Sequence, residues 1–67
     1  MGILTKNELN KRLYEFYVTN YGERSTDEWF DPPAANVWVF KRDNNYISLK
    51  AHILTGEVEV FTEQAPG

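Results

Sequence analysis

The chain contains no cysteine and one histidine, His52. No disulfide and no thiolate metal site can form, and a closed zinc site cannot be assembled from one imidazole. There is no stretch of apolar residues long enough to cross a membrane. The start lacks the basic and apolar regions of a secretory signal, and Lys6 stands where a myristoylation motif needs Ser or Thr. No Asn-x-Ser/Thr sequon occurs. There is no Gly-x-Ser-x-Gly and no glycine-rich loop before a helix, so nucleophilic catalysis and phosphate cradling have no motif to rest on. Basic residues are also short: seven Lys and Arg against ten Asp and Glu, for a net charge of −3. A nucleic-acid binder usually carries a basic footprint, which this chain as a whole does not. The lack of cysteine fits a reducing compartment, and the expected location is cytoplasmic.

What is present is a generous set of rings. The 67 residues include two Trp, four Tyr and four Phe. That length allows one domain, which must hold together by core packing, by a partner or by self-association. Large rings are an efficient way to build so small a core.

The N-terminal segment reads as a helix from about Lys6 to Tyr21. Thr5 and Glu8 have capping-box spacing, and Leu4 and Leu9 have the spacing of a hydrophobic staple. Leu9, Leu13, Phe16, Tyr17 and Asn20 follow the helical repeat, and Gly22 is a natural left-handed stop. Residues 23–36 form a link. Ser25 and Glu28 repeat the capping spacing ahead of Trp29-Phe30, so a further helical turn is expected near residues 26–30, ended by Asp31-Pro32-Pro33. Two large rings in this connection point to a packed segment, with Trp29 as its anchor.

Three strands are expected beyond it, at about residues 36–42, 46–54 and 57–62, with residues 63–67 as a frayed tail. Ile47, Leu49, Ala51 and Ile53 share one face of the middle strand; Ser48, Lys50 and His52 share the other. Thr55-Gly56 reads as a two-residue hairpin loop, which pairs Ile53 with Val58, His52 with Glu59 and Ala51 with Val60. The first hairpin leaves two choices. A two-residue Asn44-Asn45 loop pairs Phe40 with Leu49 and Trp38 with Ala51 and puts both rings in the core. A three-residue loop, Asp43 to Asn45, pairs Val39 with Leu49 and turns Trp38 and Phe40 to the face away from the helix, beside Lys50 and Phe61. Two-residue loops are the commoner, so the first is preferred. The fold class is therefore α+β, one N-terminal helix packed on a three-stranded antiparallel meander, α-β-β-β.

The chemistry-bearing groups each have a plainer reading. Glu23, Asp27, Glu28 and Asp31 cluster in the link and could supply paired carboxylates, but a solvated acidic loop explains them too. His52 with Glu59 and Glu57 could hold a divalent ion loosely; a surface charge contact is commoner. No cofactor is expected, and no catalytic role. Lys41, Arg42 and Lys50 with Tyr46 and the sheet aromatics could form a stacking platform for nucleic acid, against which the acidic balance argues. Another protein is the expected partner, met through Trp29, Phe30, Trp38, Phe40 and Phe61 or through an exposed edge at the first strand. A homodimer is the remaining choice.

The stretch Ile47-Ser-Leu-Lys-Ala-His-Ile-Leu-Thr-Gly-Glu-Val-Glu-Val-Phe61 resembles the last hairpin of PepSY-type domains, which combine a helix with strands and a Thr-Gly-Glu-Val turn. The resemblance covers only that stretch. It implies a role in protease inhibition or regulation, in keeping with protein binding. Trp29-Phe30-Asp31-Pro32-Pro33 departs from the family's pattern.

Overall fold

A computed structural model describes residues 2–66. The elements run α1 (Lys6–Asn20), β1 (Glu28–Trp29), β2 (Val37–Arg42), β3 (Asn45–Ala51) and β4 (Val58–Gln64). The strands form one antiparallel sheet in the order β1-β2-β3-β4. The class is α+β with the helix on the sheet, as expected, with one short strand more than the meander read from the sequence.

The capping box forms. Glu8 N–H donates to Thr5 Oγ1 at 3.2 Å, and Thr5 N–H donates to Glu8 Oε1 at 3.0 Å. Two orphan donors at the helix start are thereby satisfied. The backbone and hydroxyl bonds from Thr5 hold the Glu8 carboxyl below its ordinary value. Gly22, at φ +73°, follows the last turn, and its N–H donates back to Tyr17 O and Val18 O. Leu9, Leu13 and Tyr17 form the buried stripe, four residues apart, and α1 lies chiefly over β3 and β4. They meet Phe40, Ile47, Leu49 and Ala51 from the sheet, with Leu4, Phe16, Tyr21, Trp38 and Val58 around them. Leu13, Phe40 and Leu49 are fully buried, and each such burial stabilises by about 1.5–3 kcal/mol.

Both hairpins keep the expected faces but differ from the expected register by two residues. In the first, Arg42 pairs with Asn45, so the loop is Asp43-Asn44. Both residues are left-handed, with φ 49° and 66°, the signature of a type I′ turn whose twist matches the strands. Phe40 then opposes Ile47 and Trp38 opposes Leu49. Neither loop considered from the sequence forms, yet both rings face the helix, because a slip of two leaves every side chain on its own face.

In the second hairpin Ala51 pairs with Val58 and Leu49 with Val60. Thr55-Gly56 is not a two-residue loop. β3 ends at Ala51, His52 N–H donates to Glu57 O at 2.7 Å, and the chain turns through residues 53–56. His52 therefore opposes Glu57 rather than Glu59, while Ile53 and Leu54 are exposed and leave the core. The wider loop has three local supports. Gly56 sits at φ +78°, with its N–H donating to His52 O. His52 Nδ1 accepts from Leu54 N–H at 3.1 Å and Thr55 N–H at 3.4 Å. Leu4 N–H donates to Ile53 O at 2.7 Å and ties the N-terminal segment to the turn.

The link also differs. No helical turn forms near residues 26–30. Glu28 and Trp29 pair with Lys41 and Phe40 as β1, and Phe30 N–H donates to Val39 O. The outer edge of β2, expected to be open, is partly covered by this strand. Residues 63 and 64, expected in the tail, belong to β4, and Ala65 is buried, its N–H donating to Asn44 O. Gly67 lies outside the described residues.

Candidate functional site

Because α1 lies over β3 and β4, the β1–β2 side of the same face is left without a helix above it. Trp29 and Trp38 stand there. Their rings meet edge to face at 5.6 Å, and Trp29 also meets Tyr17 at 5.0 Å and Phe40 at 4.7 Å. With Tyr14, Tyr17, Glu23 and Pro32 these tryptophans line an open cleft of about 570 Å³. Tyr14 is 47% exposed and Trp29 43%. Trp29, expected to anchor a packed link, is packed on one side only and open to solvent on the other, and the rest of the link is exposed apart from Asp27 and Asn36. At the rim the Tyr14 hydroxyl donates to the Glu23 carboxylate, and that bond raises the pKa of the phenol.

The cleft is held by a buried ion pair. Arg42 lies on the helix-facing side of β2, where a charge must find a partner. Its Nε and Nη2 donate to the two oxygens of Asp27 at 2.7 and 2.6 Å, and Tyr17 Oη donates to the same carboxylate at 2.6 Å. The side chains are 9% and 1% exposed. Arg42 also donates to Tyr21 O and Gly22 O, at 2.8 and 2.7 Å. The last turn of α1 has no basic residue of its own; Arg42 brings the positive charge that its carbonyl end favours. The guanidinium lies 5.6–5.9 Å from the ring centres of Tyr17, Tyr21 and Phe40. The hydrogen bonds from Arg42 hold the Asp27 carboxyl below its ordinary range, whereas burial first and the bond to Asp27 second raise the Tyr17 phenol. One knot thus joins the end of α1, the link and β2, and fixes Tyr17 and Trp29 in the cleft wall.

The residues singled out from the sequence are divided among three places. Trp29 and Trp38 come together in the cleft. Phe40 is 0% exposed and lies in the core, out of reach of any partner. Phe30 and Phe61 lie on the opposite face of the sheet, at either end of the row Phe30, Val39, Ser48, Phe61. Tyr46, Lys41 and Lys50 share that face, with the Lys41 ammonium 5.7 Å from the Tyr46 ring. Arg42 does not join them, being turned inward and engaged by Asp27. Glu28 stands beside Lys41, Glu63 beside Tyr46 and Glu59 beside Lys50, so acids interleave the two lysines.

The acidic link residues also part. Glu23 takes Tyr14, Asp27 takes Arg42, and Glu28 enters β1. Among the described residues, Asp27 is the one Asp or Glu that is not exposed, its side chain only 1% so, and its bidentate partner and lowered pKa suit it poorly for taking up a proton. No group of three or more His, Asp or Glu suited to a metal ion occurs among the described residues. Tyr14, Glu23 and Pro32 were not singled out together from the sequence. The available signal was Tyr14, a large ring off the Leu9–Leu13–Tyr17 stripe.

The chain matches no protein-family model, no curated protein and no solved structure. The resemblance of residues 47–61 to PepSY-type hairpins therefore has no family match behind it, and the wider loop at residues 53–56 departs from a tight Thr-Gly turn. Among the described residues, no helix is long and apolar enough to cross a membrane.

Proposed function

We propose that the chain is a non-enzymatic protein-interaction module that holds an apolar side chain of another protein in the cleft between α1 and the β1–β2 hairpin. The observation that carries this reading is Trp29. It rests on Tyr17, Phe40 and Trp38 yet leaves 43% of its surface open beside Trp38, Tyr14 and Pro32. A rigid, half-solvated aromatic wall is the surface on which binding energy concentrates in protein complexes. The knot beneath it holds the rings in place before a partner arrives, which lowers the ordering cost of association.

Nucleic acid is the weaker reading. Its sheet platform would rest on Lys41, Lys50 and Tyr46 without Arg42, among Glu28, Glu59 and Glu63. The test is co-purification from the source cell with the wild-type chain and with Trp29→Ala, after circular dichroism shows the variant folded. The reading expects a protein that accompanies the wild type and is lost with the variant. Recovery of nucleic acid instead, released by moderate salt, reverses the ranking.

A further inference from the structure

On the side of the molecule away from the cleft, the sheet ends in β4. Seven residues long, Val58–Gln64 has β3 on one side and, among the described residues, no strand on the other. The hydrogen-bond phase tells which backbone groups are free. His52 N–H donates to Glu57 O and Ala65 N–H to Asn44 O, so odd-numbered residues of β4 bond to β3. By alternation, the N–H and C=O groups of Val58, Val60, Thr62 and Gln64 point outward. An edge of this length without a bulge is a template for another strand unless its side chains forbid it.

The side chains set what can add. Register places Val58, Val60 and Thr62 on the helix side. At the start of that edge, Arg12, Glu15, Phe16, Thr19 and Asn20 of α1 line a groove of about 260 Å³ with Gly56 and Val58. On the other face stand Glu59, Phe61 and Glu63. Neither carboxylate has an ion-pair partner among the described residues, although Lys50 is opposite Glu59.

A second copy is disfavoured by the same geometry. Antiparallel self-pairing over the whole strand centres on Phe61 and sets Glu59 against Glu63 twice, at the close, non-hydrogen-bonded spacing. We propose that β4 accepts an extended segment of a basic protein by strand addition. That segment carries Lys or Arg at alternate positions, opposite Glu59 and Glu63, and small apolar residues between them, on the helix side of the sheet.

The probe is the heptapeptide Val-Lys-Val-Lys-Val-Lys-Val, with Val-Glu-Val-Glu-Val-Glu-Val as its counterpart, followed by NMR and fluorescence anisotropy on the intact chain. The basic peptide should bind, less tightly as salt rises. It should slow exchange at the amides of Val58, Val60, Thr62 and Gln64, while those of Glu59, Phe61 and Glu63 change little. Thr62→Pro removes an outward N–H without taking a bond from β3, a change edge strands tolerate, and it should abolish binding. The double variant E59K/E63K keeps the backbone intact. It should weaken the basic peptide by about tenfold and make the acidic peptide the better ligand. The proposal is overturned by failure of the basic peptide to bind, by equal binding of both peptides, or by an unaltered preference in E59K/E63K. Shifts centred on the Trp29 and Trp38 indoles, or a dimer joined through β4 in sedimentation, overturn it as well. Loss of the cleft by Trp29→Ala should leave this binding unchanged, which separates it from the reading above.

Discussion

Replacing Arg42 by alanine should cost more than any other single change to a charged residue. The guanidinium makes four hydrogen bonds, two to Asp27 and two to the carbonyls of Tyr21 and Gly22. Removing it leaves the Asp27 carboxylate in a site where its side chain is 1% exposed. Breaking a buried pair from one side costs about 3–5 kcal/mol. A domain of this size is stable by about 3–10 kcal/mol at typical values per residue. Arg42→Ala should therefore be largely unfolded or melt far below the wild type. Arg42→Lys should recover only part, because an ammonium cannot make the bidentate contact. Removing both charges, in Asp27→Asn with Arg42→Met, should cost less than the two single changes summed, since neither partner is left buried and alone.

The pair also fixes the sign of an acid effect. A carboxyl whose folded pKa is lowered adds stability that is fully present above its unfolded value, near 4, and is lost as pH falls through the folded one. Asp27→Asn should flatten stability against pH below about 4. Urea titrations followed by tryptophan fluorescence and circular dichroism measure all of these. A cost under about 1 kcal/mol for Arg42→Ala, as expected of a surface charge, would refute the knot and return Arg42 to solvent.

Three further changes probe the frame around it. Thr5→Ala removes one half of the capping box and should lower stability by about 1 kcal/mol, read by the same urea titration. Gly56→Ala places a Cβ at a residue with φ +78°, 3.1 Å from Arg12 Nε and 3.2 Å from Leu4 Cδ1; it should cost about 1–2 kcal/mol and speed hydrogen exchange at the Leu4 amide. Trp29→Ala removes a ring that is 43% exposed, so it should cost about 2 kcal/mol, below the 3–5 of a fully buried one, and circular dichroism should show the variant folded.

The helix and the two faces of the sheet were legible because each rests on local or periodic information. Thr5 and Glu8 are three residues apart, Gly22 marks the stop, and alternation sorts Ile47, Leu49 and Ala51 from Ser48 and Lys50, whereas the face of Phe40 depended on the loop chosen for the first hairpin. Register was not legible to that accuracy, because a slip of two is invisible to alternation. Asp43-Asn44 and Asn44-Asn45 both tolerate left-handed backbone. Thr55-Gly56 reads as a tight turn until Leu4 N–H and the His52 imidazole are seen to hold a wider one. β1 was missed because two residues carry no period; only Lys41 and Phe40 across the sheet make them a strand. The knot was not legible. Arg42 shares its parity with Trp38 and Phe40, but beside Lys41 and Lys50 it reads as part of a basic platform, and nothing local names Asp27, fifteen residues earlier. The cleft follows from where α1 sits, and no spacing in the sequence states that the helix covers β3 and β4 rather than β2.

The cleft is the central claim, and site-specific crosslinking in the source cell tests it most directly. A photoreactive phenylalanine analogue at Tyr14, on the exposed rim, is compared with the same analogue at Val18, which is exposed on α1 and does not line the cleft. The account predicts one discrete protein adduct from position 14, none from position 18, and loss of that adduct when Trp29→Ala is added to the chain. An adduct that survives Trp29→Ala, equal adducts from both positions, or crosslinking to nucleic acid in place of protein contradicts it.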